Sequence, residues 1–182
     1  MDRPVYDAPI QRGVSRLITT CGALFISALL TACGPTEVTF HTADNYPKRL
    51  SDWGLVSLDG QQLTVSDQAL VYEVNTALFS DYALKLRTLY LPEGTQADYD
   101  ATDTFALPVG SIISKTFIYP KTQTGALLTS SDWNGDPSAI QTNDFELMET
   151  RLMVKQASGW DALPYVWKGD DAYLSLTGTI RP

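Results

Sequence analysis

The stretch Glu146–Lys155, ELMETRLMVK, decides the fold class, because its side chains alternate between two environments. The residues predicted to face one way are Met148, Thr150, Leu152 and Val154, and those predicted to face the other way are Glu149, Arg151 and Lys155. A period of two is typical of a strand that buries one face and exposes the other.

Five further stretches are short and rich in β-branched and aromatic residues, as strands are. They are Ala69–Val74, Lys85–Leu91, Ser111–Tyr119, Pro164–Trp167 and Ala172–Ile180. Asn45 and Pro47 predict the start of one short helix, and Gly54 its end. Residues 47–182 are therefore predicted to form a mainly β domain, a single antiparallel β-sandwich or partly open barrel with one short N-terminal helix.

The N-terminus has the pattern of an export signal. Three arginines precede an apolar run, Leu17–Leu30, which is too short for a permanent membrane span. The run ends in LLTACG, and Leu30–Cys33 resembles a bacterial lipobox, in which the cysteine becomes lipidated. Residues 1–32 are thus predicted to be a lipoprotein signal peptide and residues 33–46 a polar tether. The protein is expected to be exported and anchored through Cys33, in the outer membrane facing the periplasm or the cell surface.

Charge and composition argue against several function classes. The formal net charge of -8 gives no electrostatic footprint for nucleic acid. The only histidine, His41, lies in the predicted tether, so a nucleophilic triad or a zinc site has few residues to be built from. No catalytic constellation emerges, although a glycosidase that uses two of the many carboxylates stays open.

Two sets of residues have both a binding and a structural interpretation. Asp132, Asn134 and Asp136 offer alternating oxygen ligands, as a calcium loop does, but the same residue types also form exposed turns. Trp160 and Trp167 are candidates for a sugar-stacking platform, but tryptophans at strand spacing also pack in cores.

Four motifs occur in order along the chain. They are VNTALFSDYALKLRTLYLPEGT (Val74–Thr95), FALPVGSIISKTFIYP (Phe105–Pro120), METRLMV (Met148–Val154) and GWDALPYVW (Gly159–Trp167). Together they resemble the N-terminal β region of a family of exported bacterial diheme c-type cytochromes, over about Tyr46 to Trp167. In that family the β region precedes a segment with CxxCH heme-attachment motifs. This chain contains no CxxCH, so heme is expected only in a partner or in a missing C-terminal segment.

The resemblance implies an accessory module that positions or docks a c-type cytochrome segment or another redox partner, and does not catalyse. The chain is then a truncated or split member of the family, or a standalone lipoprotein that kept this domain. The alternative from another class is a cell-surface β-sandwich that binds carbohydrate or peptide.

The stretch NTALFSDYALKLR, residues 75–87, carries the candidate polar cluster. Its residues are expected either to hold the fold together or to form a docking surface, and Asp81 is expected to pair with Lys85, Arg87 or Arg151 if it is buried. The full structural or docking cluster is Asn75, Ser80, Asp81, Tyr82, Lys85, Arg87, Glu149, Arg151, Trp160 and Trp167.

Overall fold

The computed structural model describes residues 37–76, 78–129, 134–175 and 177. All of them belong to Cys33–Pro182, the second of the two units into which the chain divides. The predicted signal peptide and the predicted lipidation site Cys33 lie outside the described residues. Within the described ranges no helix is long and apolar enough to cross a membrane.

In the described ranges, eight strands form two antiparallel sheets. A two-stranded hairpin pairs β1 with β2, and a six-stranded sheet has the order β3-β4-β5-β6-β7-β8. The strands are β1 (Val56–Asp59), β2 (Gln62–Val65), β3 (Ala69–Val71), β4 (Leu84–Tyr90), β5 (Ile112–Pro120), β6 (Phe145–Gln156), β7 (Gly159–Lys168) and β8 (Asp171–Leu174). Neighbours in the chain are neighbours in the sheet, so the larger sheet is a meander.

A bulge in β6 changes which residues face the core. Ile118 of β5 pairs with Leu147, whereas Phe117 pairs with Glu149, which leaves Met148 as the extra residue. Leu147 is consequently buried on the same face as Thr150. The predicted alternation is correct from Glu149 onward and wrong for Met148, which lies on the opposite face beside Glu149.

One face of the six-stranded sheet, here called the inner face, packs into the core. Leu86, Ile118, Leu152 and Tyr165 lie on it and are fully buried. The residues that cover this face come from outside the sheet: Val38, Leu50, Trp53, Leu55, Val56, Leu63 and Ile140. The opposite face is called the outer face.

Part of the segment predicted to be a free tether packs against the domain. Val38 is buried, and its backbone N–H donates to Oε1 of Gln68 at 2.8 Å. His41 contacts the ring of Trp53 edge-on at a centroid distance of 4.8 Å. Tyr46 donates to a carboxylate oxygen of Asp161 at 2.5 Å. These contacts hold the chain from Val38 onward on the domain, because its side chains include apolar and aromatic groups that bury surface.

The predicted helix is present only as short 3-10 turns. Ala43–Asn45 and Ser51–Trp53 replace one helix that was predicted to begin near Asn45. Gly54 ends the second turn in a left-handed conformation at φ 67°, as predicted for a C-terminal glycine. A third turn, Pro137–Ala139, lies in the long connection before β6.

The fold-class prediction of a mainly β, antiparallel domain is confirmed, and within the described ranges the sheets are not closed into a barrel. All six predicted strands have a counterpart, and β7 begins at Gly159, five residues before the predicted start at Pro164. The predicted strand Ala172–Ile180 corresponds to β8, and its residues 176 and 178–180 lie outside the described residues. The hairpin of β1 and β2 was missed. Its signal is Gly60, with φ 60° in a two-residue turn between short apolar runs.

Candidate functional site

Three cations lie side by side across the outer face. The strand register pairs Arg87 of β4 with Lys115 of β5, and Lys115 with Arg151 of β6. Each of the three alternates along its strand with buried residues of the inner face, so all three side chains point outward. These residues are called the cation row. Directly opposed like charges destabilise a sheet, so the fold alone does not explain this arrangement.

Lys115, in the middle of the cation row, has an environment that disfavours its charged form. Burial lowers the pKa of its ammonium, and the neighbouring charges of Arg151 and Arg87 lower this pKa further. The carboxylate of Glu149 acts in the opposite direction. Burial, followed by Arg87 and Lys115, also lowers the pKa of Lys85. The outer face therefore concentrates positive charge on a protein whose net charge is -8.

Glu149 is the buried carboxylate of this surface. It is 3% exposed and forms an ion pair with Arg151, whose side chain is 56% exposed. Both lie on the outer face two positions apart, as the sequence pattern predicted. The guanidinium of Arg151 and the ammonium of Lys115 also lie over the ring of Phe117, at 4.9 and 5.3 Å from its centroid. The ion pair and the ring orient Arg151, and the ring also orients Lys115.

A first cavity of about 440 Å³ lies along the cation row. Its residues come from four strands and two flanking segments: Tyr72, Arg87, Ile113, Ser114, Lys115, Arg151, Leu152, Met153, Ala162, Leu163, Pro164 and Thr177. Three of these described lining residues are cations and none is a carboxylate. The volume is within the range of roughly 300–1,000 Å³ that is usual for small-molecule sites.

A second cavity of about 310 Å³ shares Lys115 and Arg151 with the first. It is bordered by Ser80 and Asp81 of the preceding loop and by Met148 and Glu149 of the β6 bulge. The bulge re-aims Met148 to the side of Glu149, as bulges beside functional sites often do. The loop and the cation row are thereby parts of one continuous surface.

Residues 78–82, called the docking loop, expose three large apolar side chains. Leu78 is 79% exposed, Phe79 is 74% exposed and Tyr82 is 61% exposed. The rings of Phe79 and Tyr82 meet edge-on at a centroid distance of 5.2 Å. Clustered apolar side chains at the surface often mark an interaction site, whereas single ones do not.

The docking loop is anchored to the sheet and strained at its end. The ammonium of Lys85 donates to the carbonyl oxygen of Leu78 at 2.7 Å, and the hydroxyl of Tyr119 donates to that of Asp81 at 3.0 Å. Asp81 and Tyr82 have φ values of 47° and 64°. Two consecutive residues other than glycine are rarely left-handed, and such strain tends to occur at functional positions.

The structure brings together most of the predicted cluster. Ser80, Asp81, Lys85, Arg87, Glu149 and Arg151 all lie on or beside the outer face. Asp81 is exposed, so the interpretation that makes it a buried charge is wrong. The buried carboxylate beside these cations is Glu149. Asn75 is exposed in the chain before the docking loop.

The two tryptophans do not form one platform. Trp167 is buried on the inner face, where its indole N–H donates to the hydroxyl of Thr150 at 3.0 Å. Trp160, seven positions earlier on β7, lies on the outer face under the ammonium of Lys155. Trp167 therefore has the core packing that was the other interpretation of these two residues, since an odd spacing along a strand places side chains on opposite faces.

The weak calcium candidate is in part outside the described residues, which do not include Asp132. Oδ1 of Asn134 accepts the backbone N–H of Asp136 at 3.0 Å, and Oδ1 of Asp136 accepts that of Ser138 at 2.8 Å. These are local turn and capping contacts. In the described part of the chain no group of three histidine, cysteine or acidic side chains is placed to hold a metal.

Lys115 was not predicted to be a site residue. Its strand was predicted, and its outward position follows from the alternation of SIISKTFIY (Ser111–Tyr119). The missing information was the register, which alone shows that Lys115 stands between Arg87 and Arg151.

Comparisons with protein-family models, curated proteins and solved structures gave no match for this chain. The resemblance to the diheme cytochromes therefore stays a prediction from the motifs.

Proposed function

We propose that this protein is an exported, lipid-anchored accessory module that docks the heme-bearing segment of a c-type cytochrome. The observation that carries the proposal is the docking loop, which exposes Leu78, Phe79 and Tyr82 and borders the second cavity through Ser80 and Asp81. Aromatic and arginine side chains are enriched in protein interfaces and dominate their binding energy. The docking loop and Arg151 supply both kinds on one surface.

Charge complementarity narrows the kind of partner. The cation row favours an acidic surface and repels a basic one, which gives specificity and speeds encounter. The anchored backbone of the docking loop lowers the entropy lost on binding. The expected partner surface thus has an apolar centre for the aromatic side chains and carboxylates on one side of it. The module itself carries no heme and acts by positioning.

Co-expression with a CxxCH-bearing segment of a diheme cytochrome tests the docking function. The wild-type chain is expected to co-purify with Soret absorbance at 1:1 stoichiometry. The double variant Phe79→Ser/Tyr82→Ser is expected to lose it, since an interface loses most affinity when its apolar anchors are removed. The matched control is Tyr99→Ser/Phe105→Ser, because those rings are also exposed and in contact, at 5.9 Å, on another loop.

Two outcomes contradict the proposal. One is that the wild-type chain recovers no heme protein. The other is equal loss of Soret absorbance in both double variants, which assigns the interaction to general surface hydrophobicity. A heme-stained band at the mass of this chain in a denaturing gel contradicts the view that the module lacks covalent heme.

Labelling tests the proposed anchor. Radioactive palmitate is expected to enter the wild-type chain and not the Cys33→Ser variant, because the cysteine of the LLTACG box is the expected acceptor. Equal labelling of the two proteins contradicts lipidation at Cys33.

A further inference from the structure

The first cavity has two chemically distinct rows that run side by side across the sheet. One is the cation row. The other consists of Ile113, Met153 and Ala162, which are paired in register on β5, β6 and β7, so the two rows share β5 and β6. Ile113 and Met153 lie two positions from Lys115 and Arg151 along their strands, so both rows point to the same side. This second set is called the apolar row.

The positive charge of the cation row is only partly compensated by carboxylates in the described part of the chain. Arg151 is paired with Glu149, and the described residues that line the first cavity include no acidic group. Within the described part of the chain, the ammonium of Lys115 contacts the Phe117 ring and makes no ion pair. A bound anion at this point relieves the repulsion between neighbouring cations and gains charge-assisted hydrogen bonds.

Hydrogen-bond donors and apolar surface are both within the one cavity. Arginine presents a planar fork that suits carboxylate and phosphate groups, and lysine acts as a point charge beside it. The half-exposed Met153 offers a flexible, adaptable contact for an apolar group. Concave sites that combine apolar walls with a few convergent polar groups are typical of small-ligand binding.

We propose that the first cavity binds a small amphipathic anion. Its single carboxylate or phosphate group meets the cation row, and its apolar body lies along the apolar row. The site does not depend on the docking loop, because Leu78, Phe79 and Tyr82 do not line the first cavity.

Calorimetry with three probes tests both halves of the site. Octanoate, which has an anionic head and an apolar chain, is expected to bind the purified protein with a millimolar or lower Kd. Octanol lacks the charge and inorganic phosphate lacks the chain. Octanol is expected to bind at least about tenfold more weakly, because it makes no charge-assisted hydrogen bond with the cation row. Inorganic phosphate is expected to bind at least about tenfold more weakly, because it buries no apolar chain along the apolar row.

A charge-matched pair of variants locates the head group. Lys115→Met keeps a long aliphatic side chain and is expected to weaken octanoate binding by about tenfold or more. Lys85→Met removes the same charge from the neighbouring row, outside the lining of the first cavity, and is expected to leave the Kd within about twofold of wild type at physiological ionic strength.

Methyl NMR on the wild-type protein locates the apolar chain without any variant. Octanoate is expected to shift the methyl resonances of Ile113 and Met153 and not that of Met148, which lines the second cavity. The proposal is overturned if octanoate does not bind, if octanol or inorganic phosphate binds as tightly, if Lys115→Met binds like wild type, or if the Met148 methyl responds and the Met153 methyl does not.

Discussion

On the inner face of the six-stranded sheet, buried hydroxyl groups pair with one another across the strands, whereas on the outer face of the same strands three cations stand side by side. Thr116 and Thr150 are bonded at 2.8 Å, and Thr88 and Ser114 at 2.6 Å. In the described part of the chain no buried side-chain polar atom lacks a hydrogen-bond partner. The cation row is built from residues adjacent to these hydroxyls in the chain.

This difference between the two faces separates residues that stabilise the fold from residues with a proposed binding role. Polar groups on the inner face are satisfied by their neighbours, so their burial costs little. The outer face keeps a repulsive row that replacement by neutral residues would relieve. Natural proteins tend to violate such local rules at functional sites. The inner face is therefore expected to serve stability and the outer face the proposed binding, and the variants below test that division.

Neighbouring residues of β6 give the largest expected contrast. Leu152→Ala removes a fully buried side chain from the inner face and is expected to lower the free energy of unfolding by about 2–5 kcal/mol. Met153→Ala, one residue later on the outer face, is expected to cost about 1 kcal/mol or less, since its side chain is only partly removed from water. Denaturant unfolding measures both. Equal losses would break the proposed division between the faces.

Among the outer-face residues of the proposed sites, Glu149 is the one whose substitution we expect to lower the free energy of unfolding clearly. Glu149→Gln turns the charge-assisted hydrogen bond with Arg151 into a weaker one with a neutral acceptor and is expected to cost about 1–2 kcal/mol, the difference between these two kinds of hydrogen bond. The control is Glu146→Gln, whose carboxylate pairs with Lys121 at 3.1 Å and is half exposed, with an expected cost of about 0–1 kcal/mol. Equal stability of the two variants would show that Glu149 contributes no more than a surface charge.

Lys115→Met is expected to stabilise the protein, by about 0.2–1 kcal/mol for each opposed like-charge pair that it removes. The groups facing Lys115 are Arg87, Arg151 and Glu149, and the net effect of burial and these charges is a lowered pKa. The folded protein then releases this proton more readily than the unfolded chain. Wild-type stability relative to Lys115→Met is therefore expected to rise with pH between the lowered pKa and the ordinary value of 10.5.

Urea unfolding of both proteins from neutral to alkaline pH measures this difference. A wild-type protein that is more stable than Lys115→Met at neutral pH would contradict the view that the cation row costs stability.

Alternation along single strands made the sheet predictable, and pairing between strands made the site unpredictable. The pattern of residues 149–155 placed Glu149 and Arg151 on one face correctly. It failed at Met148, because a bulge depends on how two strands meet and leaves no period in one of them. Lys115 was missed for the same reason. Asp81 was considered as a buried partner of nearby cations, but its neighbours Leu78, Phe79 and Tyr82 are exposed and so is Asp81 itself.

Asp81 gives the smallest expected effect and the most direct test of the docking loop. Asp81→Asn removes the charge and keeps a residue type that tolerates the left-handed conformation at φ 47°. Because Asp81 is exposed, the free energy of unfolding is expected to change by no more than about 0.5 kcal/mol. Asp81→Ala also loses that backbone tolerance, so it is expected to be less stable than Asp81→Asn. A loss of about 3 kcal/mol or more in Asp81→Asn would identify a buried charge and return the docking loop to a structural role. A small loss together with weakened cytochrome binding would place the carboxylate in the interface.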